Sequence, residues 1–263
     1  MNHTSLRRRG LLFAVAAAML WTARCFAQAP AAPPSTGRAS APTEVDFTGY
    51  WVSLVTEDWR WRMVTPAKGD YQSVPITEAA RIAADKWDPA KDEAAGDQCK
   101  AYGAGNVMRV PERLHITWED DRTLKVETDA GQQTRLFYFG RSQPAGGQPT
   151  WQGDSVAQWL FAGPQGRGGV IGQRAGAARG GSLKVVTTHM RAGYLQKNGV
   201  PYSANAIVTE HFDRTLEPNG DSWLIVTTLI DDPQYLNGPF QRSTHFKKQA
   251  DASGWNPTPC EAR

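Results

Sequence analysis

Two side chains in the second half of the chain could do acid–base work together. His189 and Glu210 fall in the strand-like segments Leu183–Met190 and Ser203–Phe212. Between them lies Asn198-Gly199, a strong hairpin dipeptide. Taken as a two-residue turn, it sets Lys197 opposite Val200, Thr187 opposite Glu210 and His189 opposite Val208. His189 and Glu210 then share a face as diagonal neighbours, within reach of long side chains. A carboxylate beside an imidazole fixes its tautomer and raises its pKa, which general acid–base catalysis uses. The same contact serves as well as a plain structural hydrogen bond. His211 falls on the other face, with Thr209, Thr188 and Met190. Pro201 beside the turn favours a bulge, and a slip of one residue would exchange the faces.

Other constellations are sparser. His115 and His245 alternate with polar neighbours and read as solvated faces. Trp59-Arg60-Trp61-Arg62 alternates aromatic and basic groups. It could stack on an anionic or aromatic ligand, and it reads equally as a strand with one buried aromatic face. Asp231-Asp232-Pro233 lacks the spacing of a calcium loop and reads as a turn. The Gly-rich stretch Ala162–Gly181 lacks the Lys-Ser/Thr ending of a phosphate loop and reads as a surface loop. No Gly-x-Ser-x-Gly elbow occurs. No cofactor and no metal site is expected.

The N-terminus carries Arg7-Arg8-Arg9, an uncharged apolar run Leu11–Trp21 and the small residue Ala27. This is the order of a signal peptide over residues 1–27, with an arginine pair resembling a twin-arginine signal. The run is shorter than the roughly 20 residues a bilayer span needs. Export would place the chain in the periplasm or outside the cell, with no membrane anchor after cleavage. Of 29 basic and 26 acidic residues, four basic ones lie in that segment, leaving 25 against 26. A near-neutral chain gives no basic face for a nucleic acid. Cys99 and Cys260 remain after Cys25 is removed. Two cysteines in an oxidising compartment pair, tying the C-terminal tail to the region after the helices. Free thiols or a metal site are the alternatives.

The elements that must position these groups are mostly strands. Residues 28–45, rich in Ala, Pro, Ser and Thr, read as a disordered linker. Residues 46–263 read as one all-β, barrel-like domain. Asp46–Thr56 is the first strand. Leu114, Ile116 and Trp118, then Leu124 and Val126, alternate with polar residues, and Leu136 and Tyr138 continue the series after the Ala130-Gly131 turn. Further strands are expected at 155–161, 183–190, 203–212, 223–230 and 240–247. That makes an antiparallel meander of about nine. After the first strand, Thr77 can cap a short helix through Trp87, and Asp92–Cys99 can add a turn.

Gly49-Tyr50-Trp51 on the first strand resembles the Gly-x-Trp opening of lipocalin-like (calycin) barrels. The Phe47-Thr48-Gly49-Tyr50-Trp51 start and Trp255-Asn256-Pro257-Thr258-Pro259-Cys260 end also resemble secreted bacterial proteins without an assigned activity. The calycin resemblance implies that Trp51 closes one end of a barrel with a last-strand arginine, here Arg242, over its ring. Together with ten tryptophans, it implies a binding protein for a small apolar or aromatic molecule. Its ligand-facing residues would be Trp51, His189, Glu210, His211 and Arg242. A cofactor-free hydrolase, lyase or isomerase using His189 and Glu210 is the rival reading, and a protein-interaction module the third. Oligomeric state is left open.

Overall fold

The computed structural model describes residues 45–56, 59–110, 112–141, 146–161 and 181–262. The signal-peptide and linker readings, and nearly all of the Gly-rich loop, lie outside them. Nine strands close into a barrel: β1 (Gly49–Ser53), β2 (Arg113–Asp120), β3 (Thr123–Thr128), β4 (Thr134–Phe139), β5 (Asp154–Phe161), β6 (Gly181–Thr188), β9 (Ile207–Leu216), β10 (Ser222–Asp231) and β11 (Phe240–Lys248). A short hairpin, β7 (Gly193–Tyr194) with β8 (Pro201–Tyr202), stands outside the barrel. The closed barrel is compatible with the calycin resemblance.

The all-β expectation holds, with one correction: the sheet is not purely antiparallel. β4 and β5 pair in parallel, Phe137 opposite Ser155. A parallel pair needs a connection that returns to the starting end, usually a dozen residues or more. Gly140–Gly153 is that connection. β1 closes the barrel by pairing with both its neighbours, Trp51 lying opposite Leu114 of β2 and Lys248 of β11.

Side-chain alternation fills the bore from every strand. Trp51, Leu114, Phe137, Leu183, Phe212 and Phe246 are all buried in one apolar cluster. At the far end Phe47, Trp159, Phe139 and Trp118 form a chain of ring contacts, with successive centroids 5.7, 5.8 and 5.5 Å apart.

The insertion between β1 and β2 covers the other end. Helix α2 (Glu78–Asp85) starts where Thr77 accepts the Ala80 N–H at 3.2 Å, as its sequence predicts. Helix α3 (Pro89–Ala94) is capped by Asp88 with proline at its first turn. A second apolar cluster joins α2 to the β7–β8 hairpin and the barrel rim, through Ala80, Ala84, Leu195, Tyr202, Val208 and Ile230. Buried Asp92 binds the hairpin to the insertion: Tyr194 donates to it at 2.8 Å and Lys100 at 2.7 Å. Cys99 and Cys260 are joined, with Cα atoms 5.1 Å apart, fixing the tail to this end.

Trp59–Arg62 corrects the strand reading of that alternation. It is a single helical turn, α1, in which Trp59 is 61 % exposed and Arg62 is buried. A helical turn rotates successive side chains by about 100°, so the alternation no longer separates two faces. Arg62 turns inward because carbonyls await it there.

Candidate functional site

The helical end of the barrel carries a layer of buried charged and polar side chains. Glu112, just before β2, has the same parity as Leu114 and Ile116, all three buried. Arg135 opens β4 and lies opposite Val126. Its guanidinium grips Glu210 with two bonds, at 2.9 and 2.6 Å, and donates to Thr187 Oγ1 at 3.2 Å. Thr187 in turn meets Ser155 Oγ at 2.7 Å. Arg135, Thr187 and Glu210 are shut off from solvent.

Glu112 is different. It is 6 % exposed, yet neither carboxylate oxygen has a hydrogen-bond partner. Burial pushes its pKa well above the ordinary 4.5, and the nearby Asp129 carboxylate pushes the same way; Arg62 and Arg135 oppose them. An unsatisfied buried carboxylate is among the costliest features a fold can carry. Glu112 is among the residues lining a cavity of about 390 Å³ between the end of β1, the β3–β4 turn and the C-terminal tail, its two oxygens lying just beneath that surface. Val52, Val55, Met63 and Ala130 form apolar walls, and Asp129, Arg113 and Asn256 add polar groups. A second cavity of about 310 Å³ shares Met63, Ala130 and Thr258 with it, so the two form one groove. Arg62 and Tyr102 line that outer part.

The walls are held by main-chain bonds. Asp129 Oδ1 accepts the Arg113 and Ala130 N–H groups at 2.6 and 2.8 Å, and Arg113 Nη1 lies 3.6 Å from Oδ2. Thr258 N donates to Asp129 O at 2.9 Å, seating the tail along the groove. Arg62 donates to Arg109 O at 3.0 Å, Leu54 O at 2.7 Å and Ser53 Oγ. These bonds tie α1 to the barrel rim.

The charge on Glu112 has a direction in pH. A carboxyl whose folded pKa is raised costs nothing while protonated in both states, and destabilises the fold as pH climbs from the unfolded value through the folded one. Glu112→Gln should therefore gain stability relative to the parent as pH rises above 4.5. Urea midpoints of both proteins at acid and alkaline pH check this, and a difference constant with pH would refute it.

The residues expected from sequence are dispersed. Glu210 does face inward, but both its oxygens bind Arg135 rather than an imidazole. His189 leaves β6 at φ +58° and its Nε2 lies 2.8 Å from Gly147 O. The register differs by two residues from the expected one: Val185, not Thr187, lies opposite Glu210. The connection closes as a longer loop, with Leu195 N donating to Val200 O at 2.7 Å. Asn198 is drawn out of a two-residue turn by bonds to Ala67 O and Asp70 O at 3.1 and 3.0 Å. His211 stands half-exposed on the outer face, opposite Lys184 and Thr227. Among the described residues a His–Glu contact does occur elsewhere: His115 Nδ1 lies 3.1 Å from Glu127 Oε2, with Tyr50 stacked on the imidazole at 4.2 Å.

Trp51 is fully buried, and a last-strand cation does cover its ring, but that cation is Lys248 at 4.5 Å. Arg242 lies 4.0 Å from the Phe240 ring and donates to Leu195 O at 3.4 Å, at the helical end. Gly49 explains the glycine of the motif: it has φ +103°, and a Cβ there would sit 2.7 Å from Lys248 Nζ.

Glu112, Asp129 and Arg135 were not singled out from sequence. Parity offered a signal for Glu112, since counting back from Ile116 through Leu114 lands on it. Among the described residues no group of three or more His, Cys, Asp or Glu could hold a metal. Compared with known proteins, the chain matches no family model, no curated protein and no solved structure.

Proposed function

We propose that this chain is a secreted or periplasmic binding protein for a small, largely apolar or aromatic molecule, held in the groove at the helical end of a lipocalin-like barrel. The observation that carries the reading is Glu112, a buried carboxylate with two unpartnered oxygens on a residue that lines a cavity of mixed apolar and polar walls. Ligand sites are commonly clefts of about 300–1,000 Å³, and the two cavities of the groove, about 390 and 310 Å³, fall in that range with polar and apolar groups sharing their walls. The bore of the barrel is a weaker candidate, because buried aromatic and aliphatic side chains occupy it. The Cys99–Cys260 bond favours an oxidising compartment, in keeping with a signal peptide. Of the site residues expected from sequence, Glu210 bears on the groove through Arg135, which acts on Glu112.

A cofactor-free hydrolase, lyase or isomerase is the second reading. What favours it is the presence of two buried carboxyl groups, Glu112 and Asp129, on one cavity. Native mass spectrometry of protein from periplasmic expression tests the first. One small molecule per chain should be released unchanged on denaturation and be missing from Val55→Trp, which fills the groove. A chain that carries nothing, and whose melting temperature no aromatic fragment raises, would sink the binding proposal.

A further inference from the structure

We propose that the groove selects organic monocations, an amidinium or primary ammonium on an apolar or aromatic body, with Glu112 as the anion that receives the charged head. The inference rests on the groove being a binding site and adds the chemical class of its ligand.

The first argument is hydrogen bonding. Both Glu112 oxygens lack a donor, and an ionised carboxylate accepts but cannot donate. The matching partner is a group rich in N–H donors. An amidinium presents two parallel N–H bonds to two carboxylate oxygens, the geometry in which charge-assisted bonds are strongest.

The second argument is charge. Two carboxylates, Glu112 and Asp129, line the inner cavity against one guanidinium, Arg113. Arg113 is already directed at Asp129, 3.6 Å away. Arg62 and Arg135 bear on Glu112 from outside that lining, and Arg62 lines the outer cavity together with Lys197 and Glu261. Arg62, from α1, donates to Arg109 O, Leu54 O and Ser53 Oγ. Arg135, from β4, is locked on Glu210 and Thr187. Among the residues lining the inner cavity, an ionised Glu112 makes two anions against one cation, which favours a cationic head over an anionic one beside Glu112. The apolar walls, Val52, Val55 and Met63, leave an organic body as the natural remainder of the ligand.

Proton linkage follows. Burial and Asp129 favour the protonated form of Glu112 in the ligand-free groove, against Arg62 and Arg135. A cation binds the ionised form, so binding expels a proton and tightens as pH rises.

Benzamidine, benzamide and benzoate share one ring and differ in head group, and they serve as probes. Calorimetry on the full secreted chain, in two buffers of different ionisation heat, reads affinity and proton release together. Benzamidine should bind with release of protons, benzoate should not bind, and benzamide should bind more weakly. Glu112→Gln should weaken benzamidine by about tenfold or more, as loss of a charge-assisted hydrogen bond does. Should that variant fail to fold, the three probes on the parent still decide. Benzamide or benzoate binding as tightly as benzamidine would overturn the cation while keeping the groove as a site. Full benzamidine affinity in a folded Glu112→Gln would do the same. Failure of all three probes would overturn both the cation and the groove.

Discussion

Trp51→Ala should lower the unfolding free energy by about 3–5 kcal/mol, the range for large aromatic truncations in cores. The indole is fully buried and sits on the strand that closes the barrel, opposite Leu114 on one side and Lys248 on the other. Its loss removes three contributions together. The bore gains a cavity where the apolar cluster meets β1. The Nε1–H bond to Phe47 O, 2.8 Å long, disappears. The Lys248 ammonium, which burial already holds below its ordinary 10.5, loses the ring face beneath it. Trp51→Phe restores much of the area but not the N–H donor, and should recover about half the loss. Urea denaturation with an unchanged slope is the measurement. A midpoint that does not move would mean that closure does not depend on this residue. Lys248→Met isolates the cation, and its effect should be small beside that of Trp51→Ala.

How much of this was legible in the chain can be traced residue by residue. Eight of the nine barrel strands overlap closely the segments read as strands, most of them through a period of two on one buried face, while the strand expected at 203–212 runs four residues later, as Ile207–Leu216. Thr77 fixes the start of α2 for an equally local reason. Three things resisted. In β4 the sequence Thr-Arg-Leu-Phe-Tyr-Phe is apolar at both parities after its arginine. Leu136 and Tyr138 were expected to face inward; Phe137 and Phe139 do, and they bring Arg135 with them. A charge on the inner parity argues for the opposite face unless its partner is known, and the partner lies 75 residues away in β9. The parallel β4–β5 pair was hidden because a long connection does not announce which end it returns to. The hairpin register was displaced by Asn198, whose amide answers to carbonyls of the insertion rather than to the local turn. Long-range satisfaction of polar groups is the common cause. It also hid the candidate site: Glu112 stands out by what it lacks, and an absent partner leaves no mark in a sequence.

The Arg135–Glu210 pair should show the sharpest contrast between single and double replacement. Both side chains are fully buried and joined by two bonds. Removing one partner strands the other charge inside the barrel, which costs about 3–5 kcal/mol. Arg135→Met and Glu210→Leu should each fall in that range. The double variant should regain most of the loss, because two apolar side chains then fill the space with no charge left to bury. A double-mutant cycle in urea reads the coupling directly, and additive losses would contradict a mutually dependent pair. The two singles should also part company at the groove. Arg135 is one of the cations that hold the Glu112 pKa down against burial and Asp129. Arg135→Met removes that opposition, so Glu112 should stay protonated to higher pH and a cationic probe should bind less tightly there. Glu210→Leu keeps the guanidinium and relieves it of its own anion, so its positive charge bears more strongly on Glu112. The expected shift in Glu112 is then opposite in sign: it ionises at lower pH, while the freed guanidinium competes with a cationic probe for its charge. Stability would place the two singles side by side, while the pH dependence of binding would separate them.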